Sequence, residues 1–486
     1  MANLKSLLKD TAIYGLSSIV GRFFNYLLVP LFTYTFKSCG DYGLYSYLYA
    51  QTALLFALLT FGMETTFFRF INKEEDGREK MKVYSTALMM VGSVGLVFVA
   101  IVLAFLGPIS ELEGCADHKW YVGMMAIVVA QDAFQAICFA YLRNAHKPVK
   151  FMILKLTLIG INLLLNVVAY ALMPKINPDW EITVKWAFMI NLIGTSFISL
   201  CFYKELTGFK WVFDKAKAKE MIRYAWPILI LSVAALLNQV AGQILLPNIL
   251  NHEDGLHQLG IYEACIKIAM IMALITQAFR YAYEPFVFGS AKEKNSKEMY
   301  AVATKYFIVF TLAAFLCVVG FMDILQYFVD VKYREGLGII PIAMAAEIMM
   351  GVAMNLSFWY KLIDKTMYGA WFSLAGCAAL MIIDFLFIPE YGYVACAWGG
   401  FAAYGMSMVL SYLFGQKINP IPYPMKSIAF YTIIAGVMFA VMVGVADWVG
   451  NQWMRMAINS VLILIFLSIA VYEIYKNRHK FVGTAA

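Results

Sequence analysis

"PLFTYTFKSCGDYGLYS", residues 30–46, returns as "PNILNHEDGLHQLGIYE", residues 247–263. At a constant offset of 217 residues, Pro30 falls on Pro247, Gly43 on Gly260, Leu44 on Ile261 and Tyr45 on Tyr262. A proline-ended apolar run followed by a Gly-Tyr segment therefore occurs twice. An offset of 218 then brings Tyr141, Arg143 and Lys147 onto Trp359, Lys361 and Lys365, as a single inserted residue would. Six apolar runs separate the copies. An even number restores the same orientation across a membrane, so the repeat is parallel, about an axis along the membrane normal.

Composition sets the class in which such a repeat operates. Hydrophobic residues make up 62% of the 486, charged residues 14%, and mean hydropathy is +0.71. Ordinary soluble chains are about 45 to 50% apolar and about 25% charged. Apolar runs of about 20 residues, each long enough to cross a bilayer, recur from end to end with no polar stretch that could form a separate domain. The expectation is an all-α integral membrane protein of about fourteen spans. The first lies near 12–36, the second near 44–70 and the sixth near 184–204. Two pseudo-symmetric six-helix lobes are expected at residues 1–210 and 211–418, with two C-terminal helices and a tail in 419–486.

The net charge of +7 is divided among short connectors, which excludes a nucleic-acid surface and suits topology instead. With both termini cytoplasmic, the basic clusters at 73–82, 143–150, 204–223 and 476–480 fall on the inner side, as the positive-inside rule asks. The first apolar run is too long for a signal-peptide core and lacks a cleavage site, so it reads as a retained span. Tyr42, Tyr45, Tyr47, Trp120, Trp180, Trp186, Trp448 and Trp453 stand where an outer interfacial belt belongs.

Charges inside spans are the informative residues, because an ionisable group at the bilayer centre costs about 2.5 to 3.5 kcal/mol and needs a cavity or a partner. Arg22 lies 13 residues from Lys9 and 15 from Lys37, roughly 20 Å from either end at about 1.5 Å per residue. Ser18, Arg22 and Asn25 share its face of the first helix. The equivalent stripe on the seventh helix is Asn238, Gln239, Gly242 and Gln243, with Gln239 opposite Arg22 at the offset of 217. Lys267 either pairs with Glu263 one turn earlier or faces substrate. Lys155, with Asn162 and Asn166 on the same face, either snorkels or lines the cavity. Asp132, Glu64 and Glu347 are candidates for coupling to protons or sodium, or for neutralising a buried base, and Asp384 marks the eleventh span.

Soluble-enzyme signatures are missing: no Walker A loop, no Gly-x-Gly-x-x-Gly opening a helix, no His-Glu-x-x-His and no Gly-x-Ser-x-Gly. Five histidines scatter among loops and eight cysteines form no Cys-x-x-Cys pair, so no metal is assigned and the cysteines read as small apolar fillers.

The segments "LLKDTAIYGLSSIVGRFFNYLLVPLFTYTF", "YGLYSYLYAQTALLFALLTFGMETTFFRF", "YAWPILILSVAALLNQVAGQILLP" and "LGIYEACIKIAMIMA" resemble the polysaccharide-transporter (Wzx-type) branch of the MOP flippase superfamily, over essentially the whole chain. The resemblance implies a MATE-like fold, no enzymatic activity, and flipping of an undecaprenyl-pyrophosphate-linked oligosaccharide across the bacterial inner membrane by alternating access. It also implies that Arg22 is the cavity arginine, that membrane lipids surround the chain, and that polymerases and glycosyltransferases of the same pathway are its partners. No cofactor is implied, and a proton or sodium gradient is the open question. A MATE-type cation-coupled multidrug antiporter ranks second, since a net-positive cavity repels cations. A membrane-embedded polymerase or glycosyltransferase ranks third, for want of a large outer loop.

Overall fold

The computed structural model describes residues 20, 21, 23, 24, 26–207, 209–289 and 295–482, and among these every regular element is a helix. The principal helices are α1 (Tyr26–Thr35), α2 (Cys39–Thr60), α3 (Met63–Ile71), α4 (Gly77–Ala104), α5 (Trp120–Asn144), α6 (Pro148–Val167), α7 (Lys185–Cys201) and α8 (Lys215–Ile249). They continue as α9 (His252–Ala269), α10 (Ile271–Gly289), α11 (Ser296–Gly320), α12 (Ile340–Leu356), α13 (Met367–Tyr391), α14 (Tyr393–Ile418), α15 (Met425–Trp448) and α16 (Gln452–Val482). Local signals place several starts. Ser38 and Asp41 form a reciprocal capping box on α2, the Asp214 carboxylate accepts from the backbone N–H groups of Ala216 and Lys217 at the head of α8, and Pro148 opens α6.

Among the described residues, eleven helical stretches are long and apolar enough to cross a membrane, and the pair α9 and α10, bent by 41°, makes a twelfth if read as one broken span. Within the first expected span the described residues include the apolar helix Tyr26–Thr35, and at the sixth stands a shorter apolar helix, Lys185–Cys201. The expected second span is broken in two. Phe61 (φ 34°) and Gly62 (φ 70°) turn left-handed between α2 and α3, and a Cβ on Gly62 would approach the Ala225 carbonyl oxygen of α8 to 2.9 Å. Only glycine meets both demands at that position.

The chain divides into two compact units. The first comprises the described residues up to Glu263 together with Asp384–Cys396, and the second comprises Ala264–Ile383 with the described residues from Ala397 on. In the first unit the repeat of residues 30–46 takes physical form. A Cβ on Gly43 would lie 1.8 Å from the Leu256 carbonyl oxygen, and a Cβ on Gly260 would lie 1.9 Å from that of Cys39. Leu256 follows Cys39 by the same 217 residues that separate the glycines, so each half of the contact is the image of the other. The result is an isologous, small-residue helix crossing of α2 and α9 within one chain.

Tyr42 and Tyr47 are buried rather than belted. Tyr42 stacks on Tyr45 with centroids 5.9 Å apart, and Phe32 and Phe36 pack edge-on against Tyr170, so these rings form core. Their sequence position is interfacial, but Phe36 of α1 packs on Tyr42, and Asn248 of α8 and His252 of α9 meet Tyr47. Trp120, Trp448 and Trp453 are exposed, as belt residues are. None of the eight cysteines is in a disulfide, and all are buried or half-buried.

In the second unit the last two helices are fastened at both ends of α11. Lys305, largely buried, pairs with Glu473 of α16, whose other oxygen accepts from the Tyr431 hydroxyl of α15 at 2.6 Å. Past the far end of α11, the Asp323 carboxylate meets Arg455 through two bonds of 2.5 and 3.0 Å, and the Asn459 amide donates to the Gly320 carbonyl at 2.9 Å. Pairs this enclosed hold geometry well, because the alternative is an unpaired buried charge.

Candidate functional site

The first unit contains a cavity of about 450 Å³. Helix α2 contributes Tyr49, Thr52 and Thr60 at spacings that share one face, α3 adds Glu64, α5 adds Asp132, α7 adds Asn191, and α8 closes it with Ser232 and Leu236. Gly62 lines it too, so the break between α2 and α3 opens onto this space. Irregular backbone among membrane-spanning helices survives where it lines a cavity, which is where transporter binding sites are built.

The polar groups are held in place. The Asn191 amide donates to the Tyr49 hydroxyl at 2.6 Å, and Ser196 donates to Gln131 at 3.2 Å. The Gln135 amide, fully buried, bridges to the Thr195 carbonyl and the Ser199 hydroxyl at 2.9 Å each, which bolts α5 to α7. Glu64 pairs with Arg143, whose guanidinium lies 5.0 Å from the Phe68 ring. Lys155 sits over the Phe139 ring at 4.1 Å, within the field of Asp132 and Glu64. Asp132 lies beside Thr195.

Two carboxylates therefore face the cavity, and the cations that balance them, Arg143 and Lys155, stand one layer behind. Of the cationic lining expected from the sequence, the first unit holds Lys155, within the field of both acids, while Glu64 is ion-paired with Arg143. Ser18, Arg22 and Asn25, the other half of that expectation, lie outside the described residues. Gln239 and Gln243 continue the line of Ser232 and Leu236 along α8 by steps of three and four residues, and Asn238 adjoins them. The structure thus brings Asp132, Glu64 and Lys155 together and puts the α8 amides on the same helix face. Lys267 and Glu347 belong to the second unit, where Glu347 is near the Tyr404 hydroxyl, while Glu263 belongs to the first. Asn162 and Asn166 turn an amide donor back onto their own helix, to Leu158 and Asn162. Buried Asp384 lies beside Gly242 of α8 in the first unit.

A family model described as polysaccharide biosynthesis protein matches residues 7–283, more than half of the chain. The chain belongs to the polysaccharide biosynthesis protein family. No curated protein sequence matches it significantly. Among solved structures it is similar to the lipid II flippase MurJ in an inward closed conformation, with a TM-score of 0.74 at 16% identity, covering 95% of this chain and 99% of that one. It is also similar to an inward-facing multidrug resistance MATE transporter of the MOP superfamily, with a TM-score of 0.62 at 13% identity, covering 82% and 94%. This member of the polysaccharide biosynthesis family is a multi-pass membrane protein whose fold is like that of the MurJ and MATE structures.

Sequence patterning does not single out two residues of the cavity wall, Tyr49 and Asn191, nor Arg143 behind it. Arg143 was grouped with the topological cluster at 143–150, although its neighbours in the repeat hinted at more. Tyr49 was one tyrosine among several. Asn191, the lone amide within the apolar helix α7, was the signal that could have been weighed.

Proposed function

We propose that the chain flips an undecaprenyl-pyrophosphate-linked oligosaccharide from the cytoplasmic to the periplasmic leaflet of the bacterial inner membrane, by alternating access. The observation that carries this is the cavity lined by Tyr49, Thr52, Asn191, Asp132 and Glu64 in a polysaccharide biosynthesis family member. Hydroxyls, an amide and carboxylates supply the donors and acceptors that sugar hydroxyls need, with an aromatic ring for the apolar faces of a pyranose. The described lining therefore suits the glycan, while the pyrophosphate falls to guanidinium and ammonium groups, Arg22 first and Lys155 and Lys267 after it. Both termini are cytoplasmic, and the enzymes that build and polymerise the glycan are the natural partners.

Cation export has one observation in its favour, the two acids at the cavity wall. Proteoliposomes separate the two readings. A labelled lipid-linked oligosaccharide should become accessible on the far leaflet only with the protein present, whereas export of an organic cation without flipping would transfer the site to a cationic drug.

In the same flipping assay, Arg22→Ala should lower the rate about 10- to 100-fold, the worth of a lost charge-assisted hydrogen bond. Arg22→Lys should retain part of it, and both should melt like wild type. Normal flipping by the alanine variant would remove Arg22 from the mechanism. Asp132→Asn should reduce flipping and flatten its dependence on an imposed proton or sodium gradient if Asp132 couples the cycle. An unchanged gradient response would leave Asp132 as a glycan contact only.

A further inference from the structure

Sharing no lining residue with the first cavity, a second cavity of about 670 Å³ in the first unit is walled by Lys147, Lys150 and Lys204, with Tyr141 and Tyr203. Lys150 is committed: its ammonium meets the buried Glu205 carboxylate at 2.5 Å. Lys147 and Lys204 are exposed, and among the described residues neither has a carboxylate partner. Three lysines against one glutamate leave a surplus of two positive charges around one opening. Scattered topological lysines would have no reason to enclose a space.

A second observation concerns what adjoins this opening. Helices α6 and α7 pack directly, Gly194 of α7 against Asn162 and Leu158 of α6. From the basic mouth, each sends out an exposed apolar row, Val149 and Ile153 on α6 and Leu200 and Phe197 on α7. A charged recess that continues into two apolar rows has the polarity of an amphiphile, and basic pockets between membrane helices on the cytoplasmic side are where anionic head groups lodge.

We propose that Lys147 and Lys204, with Lys150 held in place by Glu205, bind the phosphate head group of an anionic phospholipid whose acyl chains lie along Val149, Ile153, Phe197 and Leu200. The apolar rows favour a lipid over a free phosphate, which would use the lysines alone. The site is separate from the flipping cavity and does not depend on the transport reading.

Native mass spectrometry of the full chain in detergent, titrated with phosphatidylglycerol or phosphatidylcholine, tests the assignment. Wild type should bind phosphatidylglycerol the tighter. Lys147→Gln with Lys204→Gln should weaken phosphatidylglycerol roughly thirtyfold, about fivefold per surface lysine, and leave phosphatidylcholine unchanged. Arginine at both positions should preserve binding. Both side chains are exposed, so the melting temperature serves as a folding control. Unaltered phosphatidylglycerol binding by the glutamine variant would overturn the site. So would inorganic phosphate that displaces the lipid at equal concentration, since the ligand would then be a free anion.

Discussion

Gly43→Ala is expected to destabilise the protein by about 3 kcal/mol or more, at or beyond the upper end of ordinary overpacking. Gly260→Ala should cost a similar amount. The new methyl in either variant would sit 1.8 or 1.9 Å from a main-chain carbonyl oxygen, whereas even close Cα–H···O contacts need about 3.3 Å between carbon and oxygen. A backbone oxygen on a packed helix cannot swing aside as a side chain can, so α2 and α9 must part by more than an ångström. Much of the damage is done by the first methyl. The double variant should therefore cost well below the sum of the two singles, the mark of residues that share one interface. Denaturation of purified protein in detergent measures all three. Wild-type stability in Gly43→Ala would rule out the close crossing, and a several-fold inequality between the two singles would rule out the equivalence of its halves.

The second large effect is expected at α16. Glu473→Ala removes the carboxylate from Lys305, whose side chain is only 8% exposed, and should cost about 3 to 5 kcal/mol, as breaking an enclosed ion pair from one side does. Lys305→Met should cost less, because Glu473 is the more exposed partner and keeps the Tyr431 and Ser427 hydroxyls as donors. Replacing both, Lys305→Met with Glu473→Leu, should return stability to within about 1 kcal/mol of wild type, since a well-packed apolar pair commonly matches a buried salt bridge. Unfolding midpoints of the three variants give the order. Equal losses in both singles with no recovery in the double would mean that the pair does not determine how α15 and α16 are held.

The sequence disclosed most where its signal was repetitive or local. The offset of 217 was visible from Pro30, Gly43 and Tyr45, and the structure sets Gly43 against the segment that carries its own copy. Apolar length located the helices, yet it could not report that Phe61 and Gly62 divide one run in two, because a lone Phe-Gly step inside an apolar stretch is also compatible with a continuous helix. Asp132, Glu64 and Lys155 stood out as charges in apolar surroundings, and they do come together. What lay beyond reading was partnership. Glu64 and Arg143 are 79 residues apart and Lys305 and Glu473 are 168 apart, and neither helical periodicity nor the 217-residue repeat links these positions. Burial of Tyr42 and Tyr47 was hidden for the same reason: a tyrosine near a helix end looks identical whether it faces headgroups or a neighbouring helix.

The fastening of α11 also has a schedule. Lys305 waits for Glu473 and Asp323 waits for Arg455, 168 and 132 residues later in the chain. At about 5 to 20 residues per second of synthesis, that delay is roughly seven to thirty-four seconds. Throughout it, α11 carries a base and is followed by an acid with no mates, and only the arrival of α16 neutralises both. Helix α16 thus closes both interactions at once: a chain cut short before it would carry two charges without these partners.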